Sequence, residues 1–239
     1  MTTSAIERNN PAILIVGASR GLGQAMGAEF AGRGWRVLGT VRAPGTPLHG
    51  LAAEHPDADA VEVETLDMTD PDQILAVRDR LSGRAFDIVF VNGGVANRTP
   101  QATLAEVSAE EFVHVMATNV LGVMRAEEAF GPLTRPGGVI GVMSSGQGSV
   151  ANNANGVNDL YRASKAALNQ AMASYAGRHA GEGPALVLMA PGWIRTDLGG
   201  ANAPFGVEEA MPQIVDVLIA QQGETGLRYL DRNGRAVPW

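Results

Sequence analysis

The chain has no cysteine, which excludes disulfides and thiolate metal sites. Histidine is sparse: His49, His55, His114 and His179 stand apart without metal-ligand spacing, so no metal site is expected. Basic charge is also short, with 18 Lys and Arg against 25 Asp and Glu and a formal net charge of -7. That balance argues against a nucleic-acid partner, which needs a basic patch or stripe. No apolar run approaches the roughly 18 residues that span a bilayer. The polar segment from Met1 to Asn10 has no apolar core of the kind a signal peptide carries. A cytoplasmic protein without a membrane partner is the expectation. What remains is ordinary globular composition, 45% hydrophobic over 239 residues, enough for one large α/β core. With no linker, repeat or low-complexity block, residues 1–239 read as one domain.

Short apolar runs alternate with helical stretches along the chain. Pro11–Val16 reads as a buried strand that stops at Gly17, and a helix follows from Leu22 to about Gly32. Further strands are expected at Trp35–Val41, Ala60–Leu66, Phe86–Val91, Gly138–Met143, Ala185–Ala190 and Gly226–Leu230. Thr69 or Asp70 can cap a helix with Pro71 in its first turn, running to about Leu81. Ser108 can cap a long helix to about Phe130, another runs from Tyr161 to about His179, and a last one covers Val207–Gln222. Each main strand ends in Gly, Asn or Pro. The pattern predicts an α/β fold, a Rossmann-type doubly wound parallel sheet of about seven strands with helices on both faces. Ligand loops belong at the carboxyl ends of its strands. Gly146–Asp159 is the least regular stretch, and a loop of that length is expected to be functional or mobile.

Two patterns carry chemistry. Tyr161 and Lys165 stand four residues apart in a helix, so both project from one face, about 6 Å apart along the axis. An ammonium beside a phenol favours the phenolate, so the Tyr161 pKa is expected below its usual value of about 10. Such a phenol can exchange a proton with an alcohol oxygen near neutral pH. Ser144 or Ser145, upstream, can hydrogen-bond the same oxygen; adjacent strand residues face opposite ways, so only one reaches it. Tyr-x-x-x-Lys by itself is also an ordinary helix pair. The second pattern is Gly17-x-x-x-Gly21-x-Gly23, placed after the first strand and opening a helix. There glycines let the backbone approach a pyrophosphate, and the helix N-terminus faces the anion. An NAD site usually places Asp or Glu about 20 residues further on, but no acidic residue lies between Glu29 and Glu54. Arg42 ends the second strand instead, and Arg20 sits in the glycine turn. Two guanidinium groups suit a 2′-phosphate, so NADP(H) is favoured over NAD(H).

Gly17-x-x-x-Gly21-x-Gly23, Asp67, Asn92-Gly93-Gly94, Asn119, Ser145, Tyr161-x-x-x-Lys165 and Pro191-Gly192 occur in the order found in short-chain dehydrogenase/reductases, which the chain resembles over essentially its whole length. Tyr161–Asn169, Pro191–Asp197 and Asp231–Trp239 look most like the C-factor/sniffer-like carbonyl reductase group. The resemblance implies a catalytic set. Tyr161 would be the acid/base, Lys165 would touch the nicotinamide ribose, Ser145 would orient the substrate oxygen, and Asn119 would hold a water linking Lys165 to solvent. Alignment with Gly148 favours Ser145 over Ser144. The implied cofactor residues are Gly17, Ser19, Arg20, Gly21, Leu22, Gly23 and Arg42, with Asp67 and Met68 at the adenine. Asn92, Gly93 and Gly94 would line the adenosine side, and Pro191, Gly192, Ile194 and Thr196 would hold the carboxamide. The implied substrate is a small to medium ketone or aldehyde, or the corresponding secondary alcohol. A homodimer or homotetramer paired through the two long helices is also implied. Because C-factor relatives are linked to signalling, a nucleotide-binding signalling protein with incidental turnover is the alternative.

Three departures from the family pattern stand out. Val16 replaces a frequent Thr and forfeits a hydrogen bond, and Val91-Asn92-Gly93-Gly94 replaces Asn-Asn-Ala-Gly, so the fourth strand is expected to be more loosely tied. The gap from Ser145 to Tyr161 exceeds that of the commonest members. Around the pocket, Asn152, Asn153 and Asn155 suit a polar substrate or plain turn chemistry. Trp193, Leu198 and Phe205 form an apolar wall or pack a lid.

Overall fold

A computed structural model describes residues 10–54, 60–181 and 183–239. The readings made of the polar N-terminal segment, apart from Asn10, and of His55 lie outside those residues. The chain runs β1 (Ala12–Val16), α1 (Gly21–Gly32), β2 (Arg36–Val41), α2 (Pro47–Glu54), β3 (Val61–Thr65), α3 (Pro71–Arg80) and β4 (Phe86–Val91). It continues through α4 (Ala109–Met116), a π-helical segment (Ala117–Gly122), α5 (Val123–Phe130), β5 (Thr134–Met143), α6 (Asp159–Arg178), β6 (Ala185–Ala190), α7 (Val207–Ala220) and β7 (Leu227–Asp231). The strands form one sheet in the order β3-β2-β1-β4-β5-β6-β7, and every pairing is parallel. The Rossmann-type doubly wound sheet is therefore as expected.

Alternation along each strand explains why the apolar runs are continuous. Ile13 and Ile15 of β1 enter one core with Met26 and Phe30 of α1 and Ile214 and Leu218 of α7. Leu14 and Val16 enter the other, with Ile74 of α3, Val123 and Phe130 of α5, and Leu168 and Met172 of α6. Both faces of the central strands are covered, so those strands read as near-continuous apolar runs. Each fully buried Phe, such as Phe30 and Phe130, stabilises the fold by about 1.5–3 kcal/mol. The chain leaves β1 towards β2 and β3, then returns to the far side of β1 as β4. That reversal opens a crevice beyond the carboxyl ends of β1 and β4, the place where such sheets bind ligands.

Helix starts follow their caps. Asp70, not Thr69, caps α3 by accepting from the Asp72 and Gln73 amides, with Pro71 at the first position. Ser108 caps α4 by accepting from the Glu111 amide at 3.2 Å. The expected long helix to Phe130 is present but carries the π-helical segment at its middle. The Tyr161 helix starts two residues earlier than expected, behind Asn158 in the left-handed conformation (φ 62°). Residues 47–54 were not expected to be helical. α2 buries a single side chain, Leu48, so it presents no apolar periodicity. β5 begins at Thr134 rather than Gly138, and its pairing with β4 shifts register between Phe86 and Ile88. Among the described residues no helix is long and apolar enough to cross a membrane, and no cluster of three potential metal ligands occurs.

Candidate active site

The glycine turn joins β1 to α1 at the crevice. Gly17 and Gly21 adopt φ of 94° and 56°, conformations open to glycine. Gly23 is required by proximity instead, because a β-carbon there would stand 2.1 Å from the Gly17 carbonyl oxygen and 2.6 Å from Asn92 Nδ2. No side chain caps the N-terminus of α1, so the first-turn N–H groups around Leu22 face the crevice as free donors. Asn92 Nδ2 donates to the Gly17 carbonyl at 3.0 Å, while its buried Oδ1 has no partner. The Ser19 hydroxyl accepts from the Arg42 amide at 3.3 Å, tying the turn to the end of β2. Arg42 is exposed, and its charge lies near enough to Asp67 to help lower that carboxyl's pKa. The larger cause is the hydrogen bond from the Thr69 amide. The Met68 side chain lies against Gly93, filling the space a β-carbon would need.

The far wall comes from the segment after β6. Pro191 is buried, Gly192 takes φ 92°, Ile194 is buried and bridges to Phe205, and Thr196 faces Gly21. The Thr196 hydroxyl accepts from the Gly199 amide at 3.0 Å, closing a turn. Arg20 departs from expectation. Its Nη1 donates to Asp197 Oδ2 at 2.6 Å across the mouth of the crevice, so an acid that follows β6 already engages this guanidinium. Trp193 and Leu198 are exposed, and Arg232 stacks over the Phe205 ring at 3.7 Å. Asn153 accepts from the Gly156 amide and Asn155 from Arg162. Asn153 therefore serves the loop it stands in, and Asn155 ties that loop to α6.

Ser145, Tyr161, Lys165 and Asn119 converge beyond β5. Alternation separates the two serines: Ser144 is buried and donates to Asn169 Oδ1 at 2.5 Å, leaving Ser145 beside Tyr161. Ser145 Oγ accepts from the Gln147 amide at 3.1 Å. Lys165 is buried and donates to the Met143 carbonyl at 2.8 Å, and its Nζ stands 5.9 Å from the Tyr161 ring centroid. Gly94 closes over it, since a β-carbon there would lie 3.3 Å from that Nζ. Asn119 sits in the π-helical segment, a kind of distortion common at functional sites. It accepts from the Val95 amide and donates to the Val95 carbonyl, each at 2.8 Å.

The electrostatics differ from the sequence expectation. Burial pushes the Tyr161 phenol above its ordinary pKa, with a smaller upward effect from Tyr229, and the Ser145 side chain acts in the lowering sense. The Lys165 ammonium is turned to the Met143 carbonyl, and burial outweighs the lowering that its charge was expected to supply. Burial also brings the Lys165 pKa down to about 8. Sequence reasoning missed three groups of this network. Asn169, two turns beyond Tyr161 on α6, was legible from its helical spacing, but Ser164 and Tyr229 carry no such signal. Ser164 Oγ accepts from Asn119 Nδ2 at 2.9 Å, and the Tyr229 hydroxyl donates to the Ser145 carbonyl.

Comparison with known proteins places this geometry. Residues 11–204 match the family model for short chain dehydrogenase. A solved structure described as a short-chain dehydrogenase/reductase from Burkholderia multivorans, with bound NADP, is 56% identical at a TM-score of 0.93, covering 96% of this chain and 100% of that one. A carbonyl reductase from Pseudomonas aeruginosa PAO1 in complex with NADP is 33% identical at a TM-score of 0.88, covering 97% and 100%. The C-signal protein of Myxococcus xanthus is 32% identical over 155 residues, which is 64% of this chain and 92% of that protein. With the glycine turn, the Ser-Tyr-Lys-Asn convergence and the family match in agreement, the chain belongs to the short-chain dehydrogenase/reductase family.

Proposed function

We propose that the protein is an NADPH-dependent reductase of small to medium ketones or aldehydes, with oxidation of the corresponding alcohols as the reverse reaction. The observation that carries this reading is the convergence of Ser145, Tyr161 and Lys165 at the crevice that the glycine turn opens. The crevice fits a dinucleotide. The uncapped N-terminus of α1 suits the pyrophosphate, the orphaned Asn92 Oδ1 suits a hydroxyl or amide donor, and exposed Arg42 suits the 2′-phosphate. The Burkholderia and Pseudomonas neighbours, both described with NADP, support the same choice.

When bound, NADPH supplies a hydride to the carbonyl carbon. The remaining work falls to the chain. Tyr161, its pKa raised by burial, stays protonated at neutral pH and gives its proton to the carbonyl oxygen as negative charge develops there. Because Ser145 Oγ accepts from the Gln147 amide, its own proton is left to point at the same oxygen. Lys165, with a pKa of about 8, is mostly charged at pH 7 and stabilises the phenolate left behind. Asn119 holds the Val95 loop over Lys165 and is assigned the water that links it to solvent. A panel of carbonyl compounds, read by NADPH oxidation, tests the reading. Tyr161→Phe should lower turnover by about two orders of magnitude with NADPH binding retained. Near wild-type turnover in that variant would overturn the mechanism. A panel that wild type leaves untouched, with NADPH still bound, would favour the nucleotide-sensing role suggested by the likeness to C-signal.

Assembly belongs to the same reading. The α4–α5 stretch leaves Phe112, Val113 and Leu121 at 39%, 62% and 48% exposure, and α6 offers the small residues Ala166, Ala167, Ala173 and Ala176. We infer a homodimer paired through these helices. Light scattering should give twice the chain mass at micromolar concentration, and a clean monomer would remove the inference.

A further inference from the structure

Tyr229 lies on β7, outside the motifs of the site, yet its side chain reaches the site. Parallel pairing sets it opposite Leu188, and it is 3% exposed. Its hydroxyl donates to the main-chain carbonyl of Ser145, which also accepts from the Gly148 amide at 2.8 Å. Asn169 and Ser144 flank the same hydroxyl. Asn169 in turn accepts from Ser144 Oγ and donates to the Gly148 carbonyl at 3.3 Å. Ser145 is thus fixed at three points: its carbonyl by Tyr229 and Gly148, its hydroxyl by the Gln147 amide.

The ring is braced as well. After β7 the chain turns back at Asp231, whose Oδ1 accepts from the Asn233 and Arg235 amides at 2.8 and 2.9 Å. The Val237 amide donates to the Tyr229 carbonyl at 2.8 Å, and the Trp239 ring packs against the Tyr229 ring with centroids 5.5 Å apart. The main-chain oxygen of Trp239 accepts from the Ala151 amide at 3.0 Å. This return ties β7 to the loop that leaves Ser145. Tyr229 cannot itself be the acid/base, because its proton is committed to a backbone carbonyl. Burial raises its pKa, so it remains a neutral donor across the working pH range.

We propose that Tyr229 is a positioning residue for Ser145, holding that residue's backbone so that the hydroxyl meets the substrate oxygen. The inference rests on the reductase reading above. Its test uses the full chain and a carbonyl that wild type reduces. Tyr229→Phe keeps the ring against Trp239 and removes only the hydroxyl. One lost hydrogen bond should lower kcat about three- to tenfold, with KM and the NADPH dissociation constant within about twofold of wild type. In a Ser145→Ala background the same change should cost nothing further, because there is no hydroxyl left to position. A merely structural role predicts equal losses in both backgrounds, and that result, or an unchanged kcat, would overturn the proposal. Full turnover in Ser145→Ala alone would instead overturn the reductase mechanism and this inference with it. Should Tyr229→Phe fail to fold, Trp239→Leu, which leaves the hydroxyl but loosens the ring, must show a smaller loss with the same dependence on Ser145.

Discussion

Lys165 is the only lysine in the chain, so the central charge of the site can be titrated by itself. Its side chain is buried, with one protein partner, the Met143 carbonyl at 2.8 Å. Burial lowers its pKa from 10.5 to about 8. A lowered folded pKa means that the unfolded chain holds the proton more tightly, so stability rises with pH between about 8 and 10.5. Below that window the burial costs about 3 kcal/mol, at about 1.4 kcal/mol per pKa unit. Replacing Lys165 with Met removes this cost but leaves the Met143 carbonyl without a donor, a loss of about 1 kcal/mol. Lys165→Met should therefore be about 2 kcal/mol more stable than wild type in urea at pH 7. The advantage should vanish at about pH 10 and reverse by about 1 kcal/mol above 10.5. Labelling with 13Cε lysine gives a single side-chain resonance, and its chemical shift should titrate with a midpoint near 8. A midpoint at the ordinary lysine value, or urea curves for the two proteins that stay parallel with pH, would refute the reasoning. Either result would mean that water reaches the ammonium.

The remaining predictions concern charge elsewhere. Glu127 is fully buried with both carboxyl oxygens unpartnered, and burial, with Glu128, raises its pKa to about 8. Stability is therefore lost as pH rises from 4.5 towards 8. Glu127→Gln should gain about 2 kcal/mol on wild type between roughly pH 6 and 8 in urea titrations, and parallel profiles would count against it. Arg42→Ala should weaken NADPH binding by about one to two decades while leaving NADH nearly unchanged. Equal losses would make Arg42 a structural residue. Asp197→Asn, which releases Arg20 from an exposed pair, should tighten NADPH binding by no more than about fivefold. Calorimetric titration of the two cofactors checks both variants.

The strands were the most legible part of the molecule, because a sheet covered on both faces writes its central strands, such as β1 and β6, as unbroken apolar runs. α2 was not, since Leu48 is its one buried side chain and a single anchor has no period. The π-helical segment was hidden for another reason: it is an extra backbone residue within a helix, and Ala117–Gly122 carries ordinary helix chemistry. At the site, spacing alone put Tyr161 and Lys165 on one face, and alternation showed that only one of Ser144 and Ser145 could reach it, the choice between them resting on the family resemblance at Gly148. Direction was less accessible. Where the Lys165 ammonium points depends on the Met143 carbonyl, 22 residues away. What engages Arg20 depends on Asp197, 177 residues away. No local pattern reports either. Tyr229 reads as any core tyrosine of a last strand until the sheet delivers its hydroxyl to Ser145.

The departures from the family pattern show how little of the crevice hangs on one residue. Val16 lacks the hydroxyl that a Thr would offer, but the Gly17 amide donates to Thr40 Oγ1 of the neighbouring strand at 3.1 Å. Gly93 was expected to loosen the end of β4. A β-carbon at Gly93 would lie 2.3 Å from Met68 Cε and 2.7 Å from its sulfur, so the thioether occupies the volume a methyl group would otherwise fill. The strand end is pinned regardless: the Asn92 amide donates to the Val16 carbonyl at 2.8 Å, and Asn92 Nδ2 holds Gly17. Two residues on, Asn119 grips both backbone groups of Val95. The expectation of a looser strand therefore fails, because it counted one side chain where four polar contacts act. Gly93 and Met68 are better treated as a single unit, a small residue and a flexible one that together form the floor beside Asp67. An alanine at Gly93 would need Met68 to move, and the surface next to Asp67 would change shape with it.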